Sequence, residues 1–294
     1  MSDPVGILVV DKPTGITSHG VVSRARRALG TRKIGHAGTL DPDATGVLVL
    51  GVGQATRLLG YLSASDKDYD STFVLGQTTV TDDAAGDTLA WSDAGHLVRP
   101  EIERAMTSFT GDIEQRPSSV SAVKVDGKRA YDLVRSGADV DLAARPVTVT
   151  RFDLIDARAE MRGGHPVTVI DVRVSCSAGT YVRALARDLG AALGVGGHVA
   201  SLRRVRSGAF ALDDAVALDD VGPATKLVTP AGAASRTLPT VALDADSARL
   251  ARHGVPLPWP DAVPHGPTAF VDGDVLVGIA SERAGRTAWA TVFA

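Results

Sequence analysis

Apolar residues recur along this chain at the two spacings that strands and helices impose. Residues 6–10 and 47–50 form short, continuously apolar runs, which predict two buried strands. Between them, the apolar side chains of residues 21–29 repeat every three or four positions, as one face of a helix requires. Either Thr17 or Ser18 can cap this helix at its first turn.

Strand-like and helix-like segments then alternate without a regular βαβ order. Residues 77–98 and 222–240 are rich in Gly, Asp, Ala or Pro, so the first is predicted as a loop and the second as a connector. This irregular mixture of strands and helices favours an α+β fold over a doubly wound α/β fold. Helices are predicted at residues 100–109, 180–193 and 247–252, and strands at 69–75, 147–157, 166–176, 268–271, 275–280 and 288–293.

Composition narrows the class of protein. Hydrophobic residues make up 44% and charged residues 22% of the 294 positions, which fits a globular core rather than disorder. The single cysteine, Cys176, excludes an internal disulfide framework, and the seven histidines lack metal-ligand spacing. No apolar run approaches the roughly 20 residues of a membrane helix, and residues 1–4 lack a basic leader. These features predict a soluble, cytoplasmic protein without a metal site.

Charge is distributed unevenly behind a net value of −3. Residues 1–60 carry seven basic and four acidic side chains, and residues 183–206 carry five arginines and one aspartate. Residues 61–120 carry four basic and eleven acidic side chains, and residues 207–294 six and ten. The 25 arginines outnumber the 6 lysines, which suits bidentate recognition of phosphate or carboxylate. Two locally basic segments therefore remain candidates for an anionic partner.

The densest motif is Gly-His-Ala-Gly-Thr-Leu-Asp-Pro-Asp-Ala-Thr-Gly at residues 35–46. Its glycines permit positive φ, and proline fixes the backbone after the carboxylate of Asp41. Such a loop can present one carboxylate in a defined pose, although an Asx-turn or a helix cap explains Asp41 equally well. The alternation of the turn predicts that the second carboxylate, Asp43, points to solvent.

This motif resembles the signature of the bacterial tRNA pseudouridine synthase B family. The resemblance extends over about residues 5–210, and the tail is similar to the PUA-type RNA-binding module of many members. It implies a mixed, mostly antiparallel catalytic domain at residues 1–237, with a thumb-like insertion near 117–147, and a small β-rich domain at 238–294. Further segments in the family's order are Lys67-Asp68-Tyr69, Arg116-Pro117-Ser118-Ser119-Val120-Ser121-Ala122-Val123-Lys124, Ser177-Ala178-Gly179-Thr180-Tyr181-Val182-Arg183 and His198-Val199-Ala200-Ser201-Leu202-Arg203-Arg204.

The resemblance implies that the chain flips uridine 55 out of the tRNA T-loop and isomerises it to pseudouridine, and that it also assists tRNA folding. The N1–C1′ glycosidic bond must break, the uracil must rotate, and C5 must bond to C1′. Ionised Asp41 can act as a nucleophile at C1′ or as a base at C2′, and the residues leave both routes open. No metal ion or organic cofactor is expected.

The same resemblance assigns expected roles around Asp41. Arg183 is expected to pair with this carboxylate and keep it charged. Tyr69 is expected to stack on the uracil and take the C5 proton, and Leu202 to form an apolar wall of the base pocket. His36 is expected to occupy the space that the flipped base leaves. Without the neighbouring motifs, each of these residues also fits an ordinary structural role.

The remaining residues that the resemblance indicates are expected to contact the tRNA T-arm. The partners implied are tRNA alone, with no membrane and no obligatory protein, and a monomeric state. Two other classes stay open from the residues: an RNA-binding or RNA-chaperone protein without catalysis, and a carboxylate hydrolase that would release free base. The side chains expected to contact the substrate are Lys12 and Tyr181 near the pocket, and Lys124, Lys128, Arg129, Arg203 and Arg204 on phosphates.

Overall fold

The computed structural model describes residues 3–118, 124–125, 128–129 and 142–293. The helices are α1 Ser18–Leu29, α2 Leu59–Ser63, α3 Arg99–Thr107, α4 Val182–Ala192, α5 Pro230–Thr237 and α6 Ala245–Arg252. Short 3₁₀ helices lie at Gly53–Leu58, Leu212–Asp214 and Leu218–Asp220.

The strands are β1 Gly6–Lys12, β2 Ile34–His36, β3 Thr45–Val52, β4 Lys67–Leu75, β5 Gln77–Thr79, β6 Thr88–Trp91, β7 Gly111–Gln115, β8 Lys124–Val125, β9 Lys128–Arg129, β10 Arg145–Arg162, β11 His165–Cys176, β12 Gly197–Ser207, β13 Phe210–Ala211, β14 Val216–Ala217, β15 Thr240–Ala242, β16 Thr268–Asp272, β17 Val275–Arg283 and β18 Arg286–Val292.

The chain divides into two units. The first unit comprises Met1–Pro42, Gly46–Ala64 and Ser207–Ala294, and the second comprises Asp43–Thr45 and Ser65–Arg206. In the first unit, β1 pairs with β3 in antiparallel register and with β14 in parallel register. Strand β2 also pairs with β3, so the two strands that flank the 37–44 loop are hydrogen-bonded to each other.

One hydrophobic core joins the beginning and the end of the chain within the first unit. Ile7 of β1 and Val49 of β3 belong to the same buried cluster as Leu276 and Ile279 of β17 and the C-terminal Phe293. Three buried alanines of α5 and the 3₁₀ helix after β3 contribute to it as well. The tail therefore stabilises β3, the strand that carries the end of the 35–46 motif, because its apolar face is buried in the same core.

The tail forms a four-stranded sheet in the order β15-β16-β17-β18. Its first pair is parallel and the other two pairs are antiparallel. Phe270 lies edge-to-face between Trp259 and Trp289, with ring centroids 5.8 and 5.2 Å away. Aromatic contacts of this kind help a sheet of such small size to hold one packing arrangement.

The second unit is built on a sheet in the order β12-β4-β11-β10-β7. Strands β4, β11, β10 and β7 pair in antiparallel register. Strand β4 alternates buried and partly exposed positions from Lys67 to Thr72, so every second side chain faces the interior. Together with the tail sheet, this architecture confirms the α+β class.

Two sequence predictions were wrong. Residues 77–98 are not only loop, because β5 and β6 form a short hairpin there. Residues 222–240 are not only a connector, because Thr229 caps helix α5 by accepting a hydrogen bond from the backbone N–H of Gly232. Both elements are short, and their few apolar positions give no clear periodicity.

The domain boundary at 237/238 and the thumb-like insertion at 117–147 stay predictions. Most of that insertion lies outside the described residues. Within it, the backbones of β8 and β9 pair in antiparallel register.

We expect the shared core of the first unit to depend on single tail side chains. Ile279 of β17 is fully buried in the cluster, so Ile279→Ala should lower the free energy of unfolding by about 2–5 kcal/mol. Val275 on the same strand is 54% exposed, so Val275→Ala should change it by less than about 0.5 kcal/mol. Urea unfolding of both variants measures this, and equal losses would contradict the packing described.

Candidate active site

The loop that carries Asp41 connects β2 to β3. Gly38 and Gly46 adopt positive φ values of 95° and 100°, which side chains with a Cβ rarely accept. The backbone N–H of Ala37 donates to the carbonyl of Val49 at 2.9 Å, which fixes the start of the loop. Asp41 is partly buried, whereas the neighbouring Asp43 is exposed, which confirms the prediction for Asp43.

Two groups of the first unit bind the carbonyl of Pro42, the residue after Asp41. Lys12 is completely buried, and its Nζ donates to the carbonyls of Pro42 at 2.8 Å and Pro13 at 2.9 Å. The backbone N–H of Gly15 donates to the same Pro42 oxygen at 2.9 Å. Burying an ammonium is costly unless it is hydrogen-bonded, so Lys12 favours this one conformation of the loop. In this structure Lys12 therefore holds the Asp41 segment, and its expected contact with the substrate stays a prediction.

The first turn of α1 contacts the same loop. Thr17 caps the helix by accepting from the N–H of Gly20 at 2.9 Å, which decides between the two caps that the sequence allowed. Ser18 is instead bonded to the backbone of Leu40. The exposed ring of His19 lies edge-on to His36, with centroids 5.9 Å apart.

In the second unit, Tyr69 lies on β4 and is 7% exposed. Lys67 is two residues away on the same face of the strand. Burial, followed by the positive charge of Arg204, lowers the pKa of Lys67 to about 8. Cys176 is opposite Lys67 in the sheet, and burial raises the pKa of its thiol to about 11, so it stays protonated at neutral pH.

Arg183 is the second residue of α4 and is held by the segment that follows β5. Its Nη1 donates to the carbonyl of Thr81 at 2.8 Å and lies 3.3 Å from a carboxylate oxygen of Asp83. The two side chains are 7% and 21% exposed, so this ion pair is mostly removed from water. Asp83 was not predicted from the sequence, because its segment was expected to be a loop. A buried guanidinium needs a counter-charge, and this requirement was the signal that could have indicated Asp83.

A second ion pair lies one helical turn further along α4. Arg187 is 3.2 Å from Asp82, and it also donates to the carbonyl of Arg116 at 2.7 Å. Burial raises the pKa of Asp82, and the nearby guanidinium of Arg187 partly offsets this effect. Because Arg183 and Arg187 are four residues apart, one face of α4 holds the 81–83 segment at two points.

Gln115 fixes the residues just before Arg183. Its side chain is 2% exposed, accepts from the N–H of Tyr181 at 2.8 Å and donates to the carbonyl of Tyr181 at 3.1 Å. Gln115 ends β7, so the amide ties this strand to the start of α4. This residue was also missed, since a single glutamine carries no distinctive sequence pattern.

Strand β12 carries three expected substrate-binding residues that differ in exposure. Leu202 and Arg203 are partly exposed, and Arg203 lines a surface cleft of about 280 Å³ together with Asp70 and Arg173. Arg204 is only 1% exposed. A side chain enclosed to this extent cannot contact an RNA phosphate in this conformation, so the expected phosphate contact of Arg204 is corrected to a structural role.

The expected contacts of Lys124, Lys128 and Arg129 concern side chains outside the described residues. Within the described ranges, no group of three His, Cys, Asp or Glu side chains has an arrangement that could hold a metal ion. In the same part of the chain, no helix is long and apolar enough to cross a membrane.

Family models match most of the chain. A model described as TruB family pseudouridylate synthase (N terminal domain) matches residues 26–182. A second, described as tRNA pseudouridylate synthase B C-terminal domain, matches residues 183–248.

Curated relatives match over most of their length. The tRNA pseudouridine synthase B of Mycobacteroides abscessus is 48% identical over 292 residues, covering 98% of this chain and 96% of the relative. That of Streptomyces griseus is 48% identical over 294 residues, covering 99% and 98%. That of Mycobacterium avium is 58% identical over 224 residues, covering 76% and 71%.

Solved structures share the fold. A structure of an H/ACA ribonucleoprotein bound to a substrate RNA containing 2′-deoxyuridine includes a chain that matches with a TM-score of 0.74 and 24% identity, covering 99% of this chain and 85% of that one. A Cbf5-Nop10-Gar1 complex includes a chain with a TM-score of 0.73 and 26% identity, covering 98% and 84%.

We expect Lys67 to make stability depend on pH. The unfolded lysine keeps its proton to about pH 10.5, whereas the folded one loses it near 8, so the unfolded state binds more protons in between. The free energy of unfolding of the wild type should therefore rise from about pH 8 to about pH 9 relative to Lys67→Met. Urea unfolding across this range measures the difference, and parallel curves would contradict the assignment.

Removal of Asp83 should leave Arg183 without one of its partners. We expect Asp83→Ala to lower the free energy of unfolding by about 1–3 kcal/mol, because a buried charged donor loses its acceptor. Asp87, exposed in the same connection between β5 and β6, provides the control, and Asp87→Ala should be nearly neutral. A neutral Asp83→Ala in urea unfolding would show that the pair does not stabilise the fold.

Proposed function

The chain belongs to the tRNA pseudouridine synthase B family, and we propose that it converts the uridine at position 55 of the tRNA T-loop to pseudouridine. As a tRNA pseudouridine synthase it is an isomerase, so base and sugar both remain in the product. The proposal concerns the position modified, the residues that act and the way the RNA is held.

The observation that carries the proposal is the fixed loop around Asp41. Hydrogen bonds from Lys12 and Gly15 hold Pro42 on one side, and Ser18 binds Leu40 on the other. A carboxylate presented in this way is suited to act on a sugar carbon, where position and orientation decide the rate. This favours a catalytic Asp41 over the Asx-turn and cap alternatives.

Asp41 acts in the ionised form. As a nucleophile it attacks C1′, the N1–C1′ electron pair leaves with the uracil, and C5 of the rotated uracil later displaces the carboxylate from C1′. As a base it takes the C2′ proton instead and returns it after the C5–C1′ bond forms. In both routes the C5 proton is lost and N1 is protonated, so atoms and charge balance without a cofactor.

Arg183 keeps Asp41 charged in this proposal. A guanidinium next to a carboxylate stabilises its ionised form and orients it through paired hydrogen bonds. The bonds of Arg183 to Thr81 and Asp83 support this role, since they restrict the guanidinium before the RNA arrives. Asp83 is then a positioning residue for Arg183.

Tyr69 and Leu202 form the base pocket in this proposal. The phenol ring stacks on the flipped uracil, and its hydroxyl is the group that receives the C5 proton in the last step. Leu202 supplies an apolar wall, which its partial exposure on β12 supports.

His36 fills the gap that the flipped uridine leaves. Unstacking a base costs a few kcal/mol, and an imidazole inserted in its place recovers part of that cost. The edge-on contact with His19 supports this role, because it restricts the ring of His36 at the rim of the Asp41 loop.

The remaining contacts bind the T-arm of tRNA. Tyr181 lies near the pocket, and Arg203 binds a phosphate beside it. The insertion at 117–147 closes on the T-loop through Lys124, Lys128 and Arg129. We propose residues 1–237 as the catalytic domain and 238–294 as a PUA-like RNA-binding domain, in a monomer that also assists tRNA folding.

Incubation with an unmodified tRNA transcript, followed by mapping of pseudouridine at single-nucleotide resolution, tests the proposal. We expect modification at position 55 and no free uracil. Modification at another position would overturn the site assignment, and release of uracil would indicate a hydrolase.

Asp41→Asn tests the catalytic assignment. We expect tRNA binding to persist while pseudouridine formation falls by more than about 10³-fold, because the amide can neither attack C1′ nor take a proton. Asp43→Asn is the matched control, since Asp43 is exposed in the same loop and should retain wild-type turnover. Full activity of Asp41→Asn would contradict the mechanism.

A further inference from the structure

We propose that Ser18 is a positioning residue for the reaction, and that its hydroxyl holds the peptide unit from which Asp41 projects. This inference rests on the proposed function of Asp41. Ser18 belongs to the first turn of α1, is 2% exposed and lies 22 positions before Leu40 in the sequence.

One hydroxyl satisfies both backbone groups of Leu40. Ser18 Oγ accepts from the N–H of Leu40 at 2.8 Å and donates to the carbonyl of Leu40 at 3.0 Å. Leu40 is 4% exposed and lies outside every strand, so these buried groups need a partner other than a neighbouring strand. A hydroxyl is a donor and an acceptor at a single atom, which alanine cannot replace.

These bonds restrain Asp41 because they hold the peptide unit that precedes it. The carbonyl of Leu40 belongs to the planar peptide unit that ends at the Cα of Asp41, so holding the oxygen holds that plane. On the other side, Pro42 has a fixed φ, and its carbonyl is bonded to Lys12 and Gly15. Asp41 is therefore flanked by two restrained units, and its own backbone is further limited because a proline follows it.

The helix cap does not account for Ser18. Thr17 caps α1 through its bond to the N–H of Gly20. The buried hydroxyl of Ser18 instead binds the backbone of Leu40, which lies in the Asp41 loop. Thr17 and Ser18 lie at the same end of one helix. Substituting Thr17 therefore reports on helix stability, whereas substituting Ser18 reports on the position of the loop.

The test compares Ser18→Ala with Thr17→Ala. We measure kcat for pseudouridine formation, the Kd for tRNA and the thermal midpoint of each variant. Ser18→Ala should lower kcat by about 10- to 100-fold with Kd within about twofold, since a misplacement near 1 Å can cost about 10² in rate. Thr17→Ala should lower the midpoint, because the helix loses its cap, while kcat stays at the wild-type value.

Ser18→Thr provides the conservative variant, because it retains the hydroxyl. If the thermal midpoint of Ser18→Thr equals that of the wild type, the added methyl group is accommodated. In that case kcat should lie within about threefold of the wild-type value. If the methyl group destabilises the fold, the comparison of Ser18→Ala with Thr17→Ala decides alone.

Several outcomes would overturn the inference. Unchanged kcat in Ser18→Ala would do so, and so would equal losses in Thr17→Ala and Ser18→Ala, which would indicate a merely structural effect. A parallel loss of kcat and tRNA affinity would make Ser18 part of RNA binding instead. The proposed function fails separately, if the wild type itself forms no pseudouridine.

Discussion

The structure around Asp41 depends on the restraint of a loop that belongs to no strand or helix. Strand β1 supplies Lys12 and helix α1 supplies Ser18, and their side chains bind the residues on either side of Asp41. Strand β3, which follows the loop, is in turn held by a core that includes residues of the C-terminal sheet, and β2 is paired with β3. A carboxylate that must meet one sugar carbon benefits from such a preformed support, because little reorganisation is left for the moment of reaction.

A second feature of the structure is that several cationic side chains are buried. Lys12, Lys67, Arg183 and Arg204 are each less than 10% exposed in a chain whose net charge is negative. Backbone carbonyls bind Lys12, and Asp83 with the Thr81 carbonyl binds Arg183. The local excess of arginine at residues 183–206 therefore serves internal structure, and only partly exposed members such as Arg203 suit the phosphate contact proposed above.

Much of the fold and part of the site followed from the sequence. Apolar runs predicted β1 and β3, helical spacing predicted α1, and the 35–46 motif indicated Asp41 as the candidate carboxylate. What could not be predicted comes from contacts between distant residues: Ser18 with Leu40, Arg183 with Asp83, and the burial of Arg204. Composition cannot distinguish an arginine that faces RNA from one enclosed by its own sheet, since both fit a basic segment. The α5 helix was missed because alanines and a proline predict a connector as readily as a short capped helix.

Hydrogen exchange at the Leu40 amide reports directly on whether the loop is preformed, because this loop N–H donates to the hydroxyl of Ser18 in α1. A preformed loop predicts slow exchange in the RNA-free wild type, with a protection close to that of the amides in β1 and β3. Fast exchange at Leu40, beside protected neighbouring strands, would contradict it. The loop would then be formed only when RNA binds, and the support described for Asp41 would not exist beforehand.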